Sequence, residues 1–411
     1  MKRYQRTALP QYLYVFLILL AIIGVGFLSK IVMERVRFVD YFALPWAAGR
    51  TWLLEGSNPY DPSVINIVNR SISESEYLAV LPDVETLQHP LINLIFYLPF
   101  SLLPYPLARS IWMVFQLGAF FTACYYSIRL VGWKISNLEM LGLMILSFLW
   151  LPSLLGILTG QLTLFILLIS ILCIYLIESE KDMTAGFLMA LLVGSLPQSI
   201  FILISLIILA FAQRRWSILT SFLSGTAFLL VVTVLLLPSW FIDWLSVILD
   251  VFNSFAWVQT PLMQLASLLP GIEQFMVIFL HAVFGILLLF IWITTARKTG
   301  RVLIWNAALI LVLTFLLHIQ INVSLLVSIL LGLMLVFRFW AERWGVIGKV
   351  LSWAALLSIS AGSWLPHIKS VDFTQNIPTP FLIFVLPLLV FLALLWIRWW
   401  VVKIPRLNDE F

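Results

Sequence analysis

The sequence predicts an all-α integral membrane protein, and three observations support that prediction. Of the 411 residues, 62% are hydrophobic and only 10% are charged, whereas soluble domains carry about 25% charged residues. Apolar runs of about 20 residues, the length that crosses a bilayer as a helix, recur along the chain. Lys and Arg concentrate in alternate connections between these runs, as they do in multi-pass proteins. The observations together indicate a single polytopic transmembrane domain over residues 1–411.

The longer apolar runs predict the individual membrane helices. They lie near 11–29, 107–129, 138–157, 161–178, 217–238, 273–295, 302–318, 322–338, 347–365 and 380–400. A further apolar stretch is interrupted by Gly-Ser-Leu-Pro at 194–197, and proline cannot continue a helix without losing a hydrogen bond. We therefore expect two short helices there, near 184–195 and 199–212, and about twelve membrane helices in all.

The distribution of positive charge predicts the orientation, because cytoplasmic loops of membrane proteins carry an excess of Lys and Arg. With the basic N-terminus in the cytoplasm, the short outer turns hold almost no Lys or Arg, with Lys369 as the exception. The turns and tail on the cytoplasmic side hold Arg129, Lys134, Lys181, Arg214, Arg215, Arg297, Lys298, Arg301, Arg338, Arg343, Lys349, Lys403 and Arg406. Arg35 and Arg37 lie in a long loop on the other side, where the rule is weaker. We expect both termini in the cytoplasm and two long extracytoplasmic loops, 30–106 and 238–272.

One apolar segment does not fit the series of spanning helices. The segment 89–110 has only about fifteen residues between its prolines, and counting it as a span would place every later basic turn outside the cell. We predict a re-entrant or interfacial helix over 89–105, which is tolerated at membrane depth when it is buried in protein or lines a cavity. The loop 238–272 is amphipathic and rich in aromatic residues, which predicts a helix lying in the membrane interface.

Polar residues that can carry chemistry concentrate on the predicted outer side. Polar groups at membrane depth are costly, so they mark either function or hydrogen bonding between helices. For each glutamine taken alone, a structural role is the better interpretation; their convergence on one side favours function. The candidate substrate-binding residues are Tyr41, Arg50, Tyr60, His89, Gln161, Gln198, Gln259, His318 and Asn322.

Asp40 is the candidate catalytic residue, as a general base in a partly desolvated outer cleft. It follows the first apolar run and precedes the half-polar segment "YFALPWAAGRTWLLEG". The alternative is that Asp40 only caps this helix, since aspartate is a favoured N-cap. Asp61 stands in "NPYDP", where turn formation explains it.

Other chemistry has no signal in the sequence. There is no HExxH, no cysteine pair and no acidic cluster, so no metal site is predicted. The chain has no glycine-rich phosphate-binding motif, and its cytoplasmic turns are too short for a nucleotide-binding domain. We expect no cofactor and no nucleic-acid partner.

Four segments in order carry a resemblance to a known superfamily. They are "VDYFALPWAAGRTWLLEGSNPYDP", "HPLINLIFYLPFSLLPYPLARSIW", "GQLTLFILLISILCIYL" and "AGFLMALLVGSLPQSIFILISLIIL". Together they resemble the GT-C glycosyltransferases, and among them the polyprenyl-phosphate-mannose-dependent mannosyltransferases of glycosyltransferase family 87. Asp40 stands where the family has its outer acid, and Gly160-Gln161 and Pro197-Gln198 match its Gly-Gln and Pro-Gln pairs. Leu196 stands where the family often has lysine, and Asn322 follows His318 where an acidic residue is usual.

The resemblance implies a GT-C-like bundle and a transfer reaction at the extracytoplasmic face of the cell membrane. A sugar such as mannose would pass from a polyprenyl-phosphate donor to a hydroxyl of a glycan or glycolipid acceptor, with inversion and with a single carboxylate as base. Candidate partners of the leaving phosphate are Arg50, His89, His318 and Lys369. The alternatives are a polytopic transporter or lipid flippase, which the broken helix also suits, and a family member that has lost catalysis.

Overall fold

The structure is a computed structural model that describes residues 11–82, 87–254, 260–318, 322–365, 372–373 and 381–402. It is built almost wholly of apolar helices, which confirms the all-α membrane class. Among the described residues, four helices are long and apolar enough to cross a membrane, or five if one bent pair counts as a single span. Several shorter apolar helices of 10–17 residues pack among them, and the total of about twelve membrane helices stays a prediction.

The elements follow one another in a single chain order. The helices are α1 (Gln11–Arg35), α2 (Ala43–Arg50), α3 (Val64–Ser73), α4 (Leu91–Leu94), α5 (Leu98–Ser101), α6 (Tyr105–Val131), α7 (Asn137–Leu149), α8 (Leu151–Thr159), α9 (Thr163–Glu178), α10 (Asp182–Leu192), α11 (Leu196–Ala212), α12 (Trp216–Leu236), α13 (Trp240–Ser254), α14 (Pro261–Ala266), α15 (Glu273–Thr295), α16 (Arg301–Leu316), α17 (Leu330–Ser363) and α18 (Leu386–Val402). The strands are β1 (Arg37–Val39), β2 (Ala79–Val80) and β3 (Asp372–Phe373).

Two predicted helix breaks are present. A tight 3₁₀ turn, Val193–Ser195, separates α10 from α11, and Pro197 lies in the first turn of α11. There it costs no helical hydrogen bond, because the first N–H groups of a helix have no partner within it. Gly345 has non-helical backbone angles inside α17 and divides it at the gap between the predicted spans 322–338 and 347–365.

The predicted span 138–157 is bent in a way the apolar pattern did not indicate. α7 and α8 meet at 65°. The residue between them, Trp150, has extended backbone angles, and Pro152 lies in the first turn of α8. A proline there cannot follow a continuous helix, since its ring would clash with the carbonyl four residues earlier. The bend directs the C-terminal end of α8 toward the first loop.

The apolar segment at 89–110 does not form a spanning helix. Before α6 begins at Tyr105, it contains α4 and α5, each of four residues, whereas a span needs about 20. α2 packs so closely on α5 that a Cβ on Gly49 would lie only 2.3 Å from the Ser101 Oγ. The Trp46 Nε1 also donates to the carbonyl oxygens of Phe100 and Leu103, at 3.1 and 3.2 Å. The close approach to Ser101 explains the glycine of the "AAG" stretch.

A three-stranded parallel sheet holds the start of the first loop. β1 lies in the centre, between β2 and β3, and Phe38 pairs with Ala79 on one side and with Phe373 on the other. The Asp40 N–H donates to the Val80 carbonyl at 2.9 Å. The residue after the central strand is therefore fixed in position by its main chain.

The second long loop contacts the first through α13. The Trp244 Nε1 donates to the Gln88 carbonyl at 3.0 Å, and the Asn58 Nδ2 donates to the Asp243 Oδ2 at 2.8 Å. Phe241 and Ile242, on the same helix, are exposed. A helix with one bonded side and exposed apolar residues fits the expected interfacial position.

Candidate functional site

Asp40 lies in a fully buried hydrogen-bonding network. Its side chain is 0% exposed. The Oδ1 accepts from the Phe42 N–H at 2.8 Å, and the Oδ2 accepts from the Tyr105 hydroxyl at 2.5 Å and from the Arg109 Nε at 3.0 Å. The bond to Phe42, two residues on, closes a local turn before α2, but it does not cap the helix, because the N-cap position is Phe42 itself and receives no side-chain capping bond. The two bonds to α6 are not needed for a cap.

Arg109 is the cationic partner of this carboxylate, and it is also 0% exposed. Its Nη2 donates to the Leu158 carbonyl, and its guanidinium lies 5.6 and 5.7 Å from the ring centroids of Phe38 and Phe42. Its Nη1 has no hydrogen-bond partner among the described residues. Burying two charges costs several kcal/mol per ion unless they are paired and hydrogen-bonded, and this pair meets both conditions.

One face of α6 supplies most of the site. Tyr105, Arg109, Trp112 and Gln116 follow one another at spacings of four, three and four residues, which places them on one side of a helix, and each is at most 2% exposed. Below the two residues that bond Asp40, the Trp112 Nε1 donates to the Gly160 carbonyl at 3.0 Å and the Gln116 Nε2 donates to the next carbonyl, of Gln161, at 2.5 Å.

The sequence analysis missed these four residues, because it treated 107–129 only as a span. Their spacing was the available signal: an arginine within an apolar helix, with hydrogen-bonding aromatic and amide side chains on the same face. A charge in such a place is a functional candidate by default. Its partner, 69 residues earlier in the chain, could not be identified from that pattern.

Gly160 brings the end of α8 against Asp40. Its backbone is left-handed, with φ +73°, and a Cβ there would lie 2.8 Å from the Phe42 Cβ and 3.3 Å from the Arg109 Cζ. Only glycine adopts this conformation without cost and leaves this space open. The Tyr41 N–H donates to the Thr159 carbonyl at 2.9 Å, so predicted residue Tyr41 reaches the same corner through its main chain.

Gln161 and Asn322, predicted separately, are directly bonded. The Gln161 Oε1 accepts from the Asn322 Nδ2 at 2.8 Å and from the Thr163 hydroxyl at 3.3 Å. The Asn322 Oδ1 accepts from the Ser324 N–H at 3.0 Å and so begins the 3₁₀ turn that follows. The structure therefore brings Asp40, Tyr41, Gln161 and Asn322 to one corner.

Tyr60 and His89 form a second group. The Tyr60 hydroxyl donates to the His89 carbonyl at 3.1 Å. Burial, and then the nearby Asp243 carboxylate, raise the pKa of Tyr60, while burial lowers the pKa of His89 to about 4. Near pH 7 His89 is neutral and would offer a phosphate a hydrogen bond rather than a charge. Asp61 is a turn residue, since its Oδ1 accepts from the Ser63 N–H at 2.7 Å.

Arg50 and His318 lie at other positions. The Arg50 Nη1 donates to the Ser101 carbonyl at 3.2 Å, and its guanidinium lies 5.6 Å from the Trp46 ring centroid. Arg50 is thus tied to α5. His318 is buried just beyond α16, where its main-chain N–H donates to the Phe315 carbonyl at 3.3 Å.

The Pro-Gln pair lies beside a buried amide. The Asn93 side chain and the Ser195 hydroxyl exchange hydrogen bonds of 3.0 and 3.1 Å, which joins α4 to the turn before α11. The Oε1 of the nearby Gln198 is buried and has no hydrogen-bond partner among the described residues. Two predicted residues, Gln259 and Lys369, lie outside the described residues.

The chemistry that this corner offers is that of one ionised carboxylate held beside one cation. A positioned carboxylate accepts a proton from a reacting hydroxyl in general-base catalysis. In the part of the chain that the structure describes, no three His, Cys, Asp or Glu side chains come together, and we assign no metal ligand.

Comparison with known proteins connects this corner to a family. The model of glycosyltransferase family 87 matches residues 88–319, which is more than half of the chain. No curated protein and no solved structure gives a significant match. The matched region contains Arg109, Gly160, Gln161 and Gln198, and Asp40, which precedes it, is joined to it by the bonds from α6. The chain belongs to glycosyltransferase family 87.

Proposed function

We propose that the chain transfers a sugar from a polyprenyl-phosphate donor to a hydroxyl of a lipid- or glycan-borne acceptor at the extracytoplasmic face of the cell membrane. Family membership supports glycosyl transfer. The observation that carries the rest is Asp40, a carboxylate bonded to Arg109 and placed against the Gly160–Gln161 corner. A site outside the cytoplasm cannot draw on nucleotide sugars, which are cytoplasmic, so its donor is carried by a lipid.

The reaction is a single displacement at the anomeric carbon. The acceptor oxygen forms the new bond to this carbon as its proton passes to Asp40, and the bond to the phosphate oxygen breaks with its electron pair leaving on the phosphate. One base suffices and the configuration inverts. The leaving phosphate needs hydrogen-bond donors. Arg50 and His318, which lie outside the Asp40 corner, are the candidates for this role. Gln161, Gln198 and Asn322 are the candidates for binding hydroxyl groups of the substrates.

The orientation rests on the distribution of charge along α6 and its neighbours. α6 begins beside Asp40 at Tyr105 and ends near Arg129, and Arg338 donates to the Val131 carbonyl at that far end. Basic residues therefore gather at the end of the bundle opposite Asp40, which by the positive-inside rule is the cytoplasmic end.

Cysteine labelling tests this orientation. Single cysteines replace Ser73 in the first loop and Thr299 in the turn before α16, both exposed. The native Cys124 and Cys173 are buried, so background labelling is low. An impermeant thiol reagent added to intact cells should label position 73 and not position 299. The reverse pattern would place Asp40 in the cytoplasm and overturn the proposal.

A catalytically inactive family member is the competing function, and two observations favour it. Asp40 is 0% exposed, so an acceptor reaches it only if the first loop opens. Leu196 stands where the resemblance to the family implies a lysine, so the donor site would lack one cation.

Transfer assays separate the two functions. Purified protein in lipid vesicles is given polyprenyl-phosphate mannose and other polyprenyl-phosphate sugars, with membrane lipid extract as acceptor. Asp40→Asn should reduce transfer by about 10² or more. The matched control is Asp61→Asn, in an exposed turn of the same loop, which should keep it. Near-normal transfer by Asp40→Asn would reject the base assignment, and no transfer by the parent with any donor would favour the inactive member.

A further inference from the structure

We infer that Tyr105 and Arg109 are positioning residues that select which oxygen of Asp40 takes the proton, and that this oxygen is Oδ1. The inference rests on the proposed function, since it concerns the base of that same reaction. It goes further by dividing the carboxylate into a bound oxygen and a reactive one, and by adding two residues of α6 to the machinery.

The assignment follows from counting lone pairs. Each carboxylate oxygen can accept about two hydrogen bonds. The Oδ2 accepts two, from the Tyr105 hydroxyl at 2.5 Å and from the Arg109 Nε at 3.0 Å, so it has no further capacity. From the described residues the Oδ1 accepts one, the Phe42 N–H at 2.8 Å. One lone pair on Oδ1 remains to receive the proton of an acceptor hydroxyl.

The charge of Arg109 keeps this lone pair available. A carboxyl group buried in apolar surroundings favours its neutral, protonated form, and an adjacent cation reverses that preference. Asp40 and Arg109 are both 0% exposed, so solvent provides little of the compensation. Without the guanidinium, the buried carboxylate would lose its cationic partner and one of the two bonds that hold its Oδ2.

The second function of Arg109 is to fix the carboxylate relative to the corner. Its Nε bonds Asp40 while its Nη2 bonds the Leu158 carbonyl, and these two groups lie on the same edge of the planar guanidinium. The carboxylate and the end of α8 are thereby held at one separation. A lysine has the charge but cannot make both bonds from one rigid plane.

The titratable neighbours of the carboxylate within the described residues are tyrosines and one ion pair. Tyr97 lies near Asp40, and Tyr77 lies beside Tyr105. Lys30 and Glu34, which pair with each other at 3.5 Å, lie beyond Tyr77. A control variant on the side of this ion pair therefore separates its contribution from that of Asp40.

The experiment measures transfer against pH for Tyr105→Phe, with Tyr77→Phe as the matched control. The Tyr77 ring centroid lies 6.0 Å from that of Tyr105, and its hydroxyl donates to the Pro106 carbonyl at 3.1 Å, on the same helix. Both variants keep the ring and lose one hydroxyl, and the Tyr77 hydroxyl is the one that lies toward Lys30 and Glu34. Tyr105→Phe should lower transfer about tenfold and move the acidic limb of its pH profile to higher pH, with the KM for donor unchanged. Tyr77→Phe should do neither.

Arg109→Gln and Arg109→Lys test the charge and the geometry. Arg109→Gln should transfer sugar about a hundredfold more slowly than the parent at pH 7, and it should recover part of that rate as the pH rises. Arg109→Lys should restore the position of the acidic limb but not the full rate. Arg338→Gln, which also removes a bond to a helix carbonyl but at the far end of α6, should change neither. All rates are taken per molecule of monodisperse, folded protein.

The outcomes separate this inference from the proposed function. One outcome is that the parent transfers sugar and that the pH profiles of Tyr105→Phe and Arg109→Gln match those of their control variants. This outcome would overturn the positioning roles and leave the proposed transferase function intact. A raised donor KM without a shifted acidic limb would also overturn them and assign Arg109 to the donor phosphate. Absence of transfer by the parent itself would instead reject the proposed function.

Discussion

Replacing Gly160 by alanine should damage both the fold and the site. At φ +73° an alanine costs roughly 1–2 kcal/mol for its left-handed backbone alone. Its Cβ would also lie 2.8 Å from the Phe42 Cβ and 3.3 Å from the Arg109 Cζ. Real Cβ atoms are not found at the first distance, so Phe42 or the end of α8 must move, and such overpacking costs about 1–3 kcal/mol.

Gly56→Ala is the matched control. Gly56 has φ +65° and no atom within 4 Å of its ideal Cβ position, so alanine there meets the backbone cost without the steric one. Gly160→Ala should lose roughly 2–5 kcal/mol of stability and Gly56→Ala roughly 1–2 kcal/mol.

The assay has two parts, because the clash acts on two properties. Thermal unfolding in detergent, followed by loss of the monodisperse species, ranks the stability of the two variants. Transfer per folded molecule then reports the geometry of Asp40, since Arg109 must shift to make room for the new methyl group. If Gly160→Ala unfolds no earlier than Gly56→Ala and transfers sugar at the parental rate, the close approach between α8 and the first loop is wrong.

Three further predictions follow from the first loop and its neighbours. Stability should fall as pH drops from 6.5 toward 4, because the pKa of His89 is about 4 in the folded protein and 6.5 when unfolded. His89 binds more protons in the unfolded protein than in the folded one, so the free energy of unfolding should fall by on the order of 3 kcal/mol. His89→Gln should lack this fall when thermal unfolding is measured against pH. Asn58→Asp should lower the unfolding temperature by a few degrees, because the new carboxylate would repel that of Asp243, which lies 2.8 Å from the present amide. Acid should reduce the difference between variant and parent, and equal unfolding midpoints at pH 7 would reject the contact. Arg50→Ala should cost more donor turnover, roughly tenfold to a hundredfold, than His318→Ala, because a guanidinium is always charged and its planar fork matches phosphate oxygens; the opposite order would move the phosphate to His318.

The sequence was a good guide to the helices because helix length and apolarity are local properties. The ends of α6, α12 and α15 fall within a few residues of the predicted spans, and Pro197 marked a real break. The bend at Trp150 was missed although Pro152 follows it, since the apolar pattern is continuous across both residues.

The site was predictable only in part, because its contacts join distant segments. Asp40, Gln161 and Asn322 stood out as polar residues in apolar surroundings, and they do lie at one corner. Their grouping depends on Arg109, whose bonds reach back to Asp40 and forward to Leu158. The closed state of Asp40 depends on packing by β1 and α2, which no pattern in the first loop specifies.

The strand pairing also has a consequence for the order in which the protein is made. β1 precedes α2, but its second neighbour, β3, lies between α17 and α18. During synthesis one edge of β1 therefore stays without its final partner until α17 has been translated. α18, which follows β3, is bonded to α16, since the Trp305 Nε1 donates to the Leu394 carbonyl at 2.7 Å. A nascent chain truncated after α17 would hold Asp40 on a two-stranded ribbon, so the first loop reaches its final strand pairing only after α17 has been made.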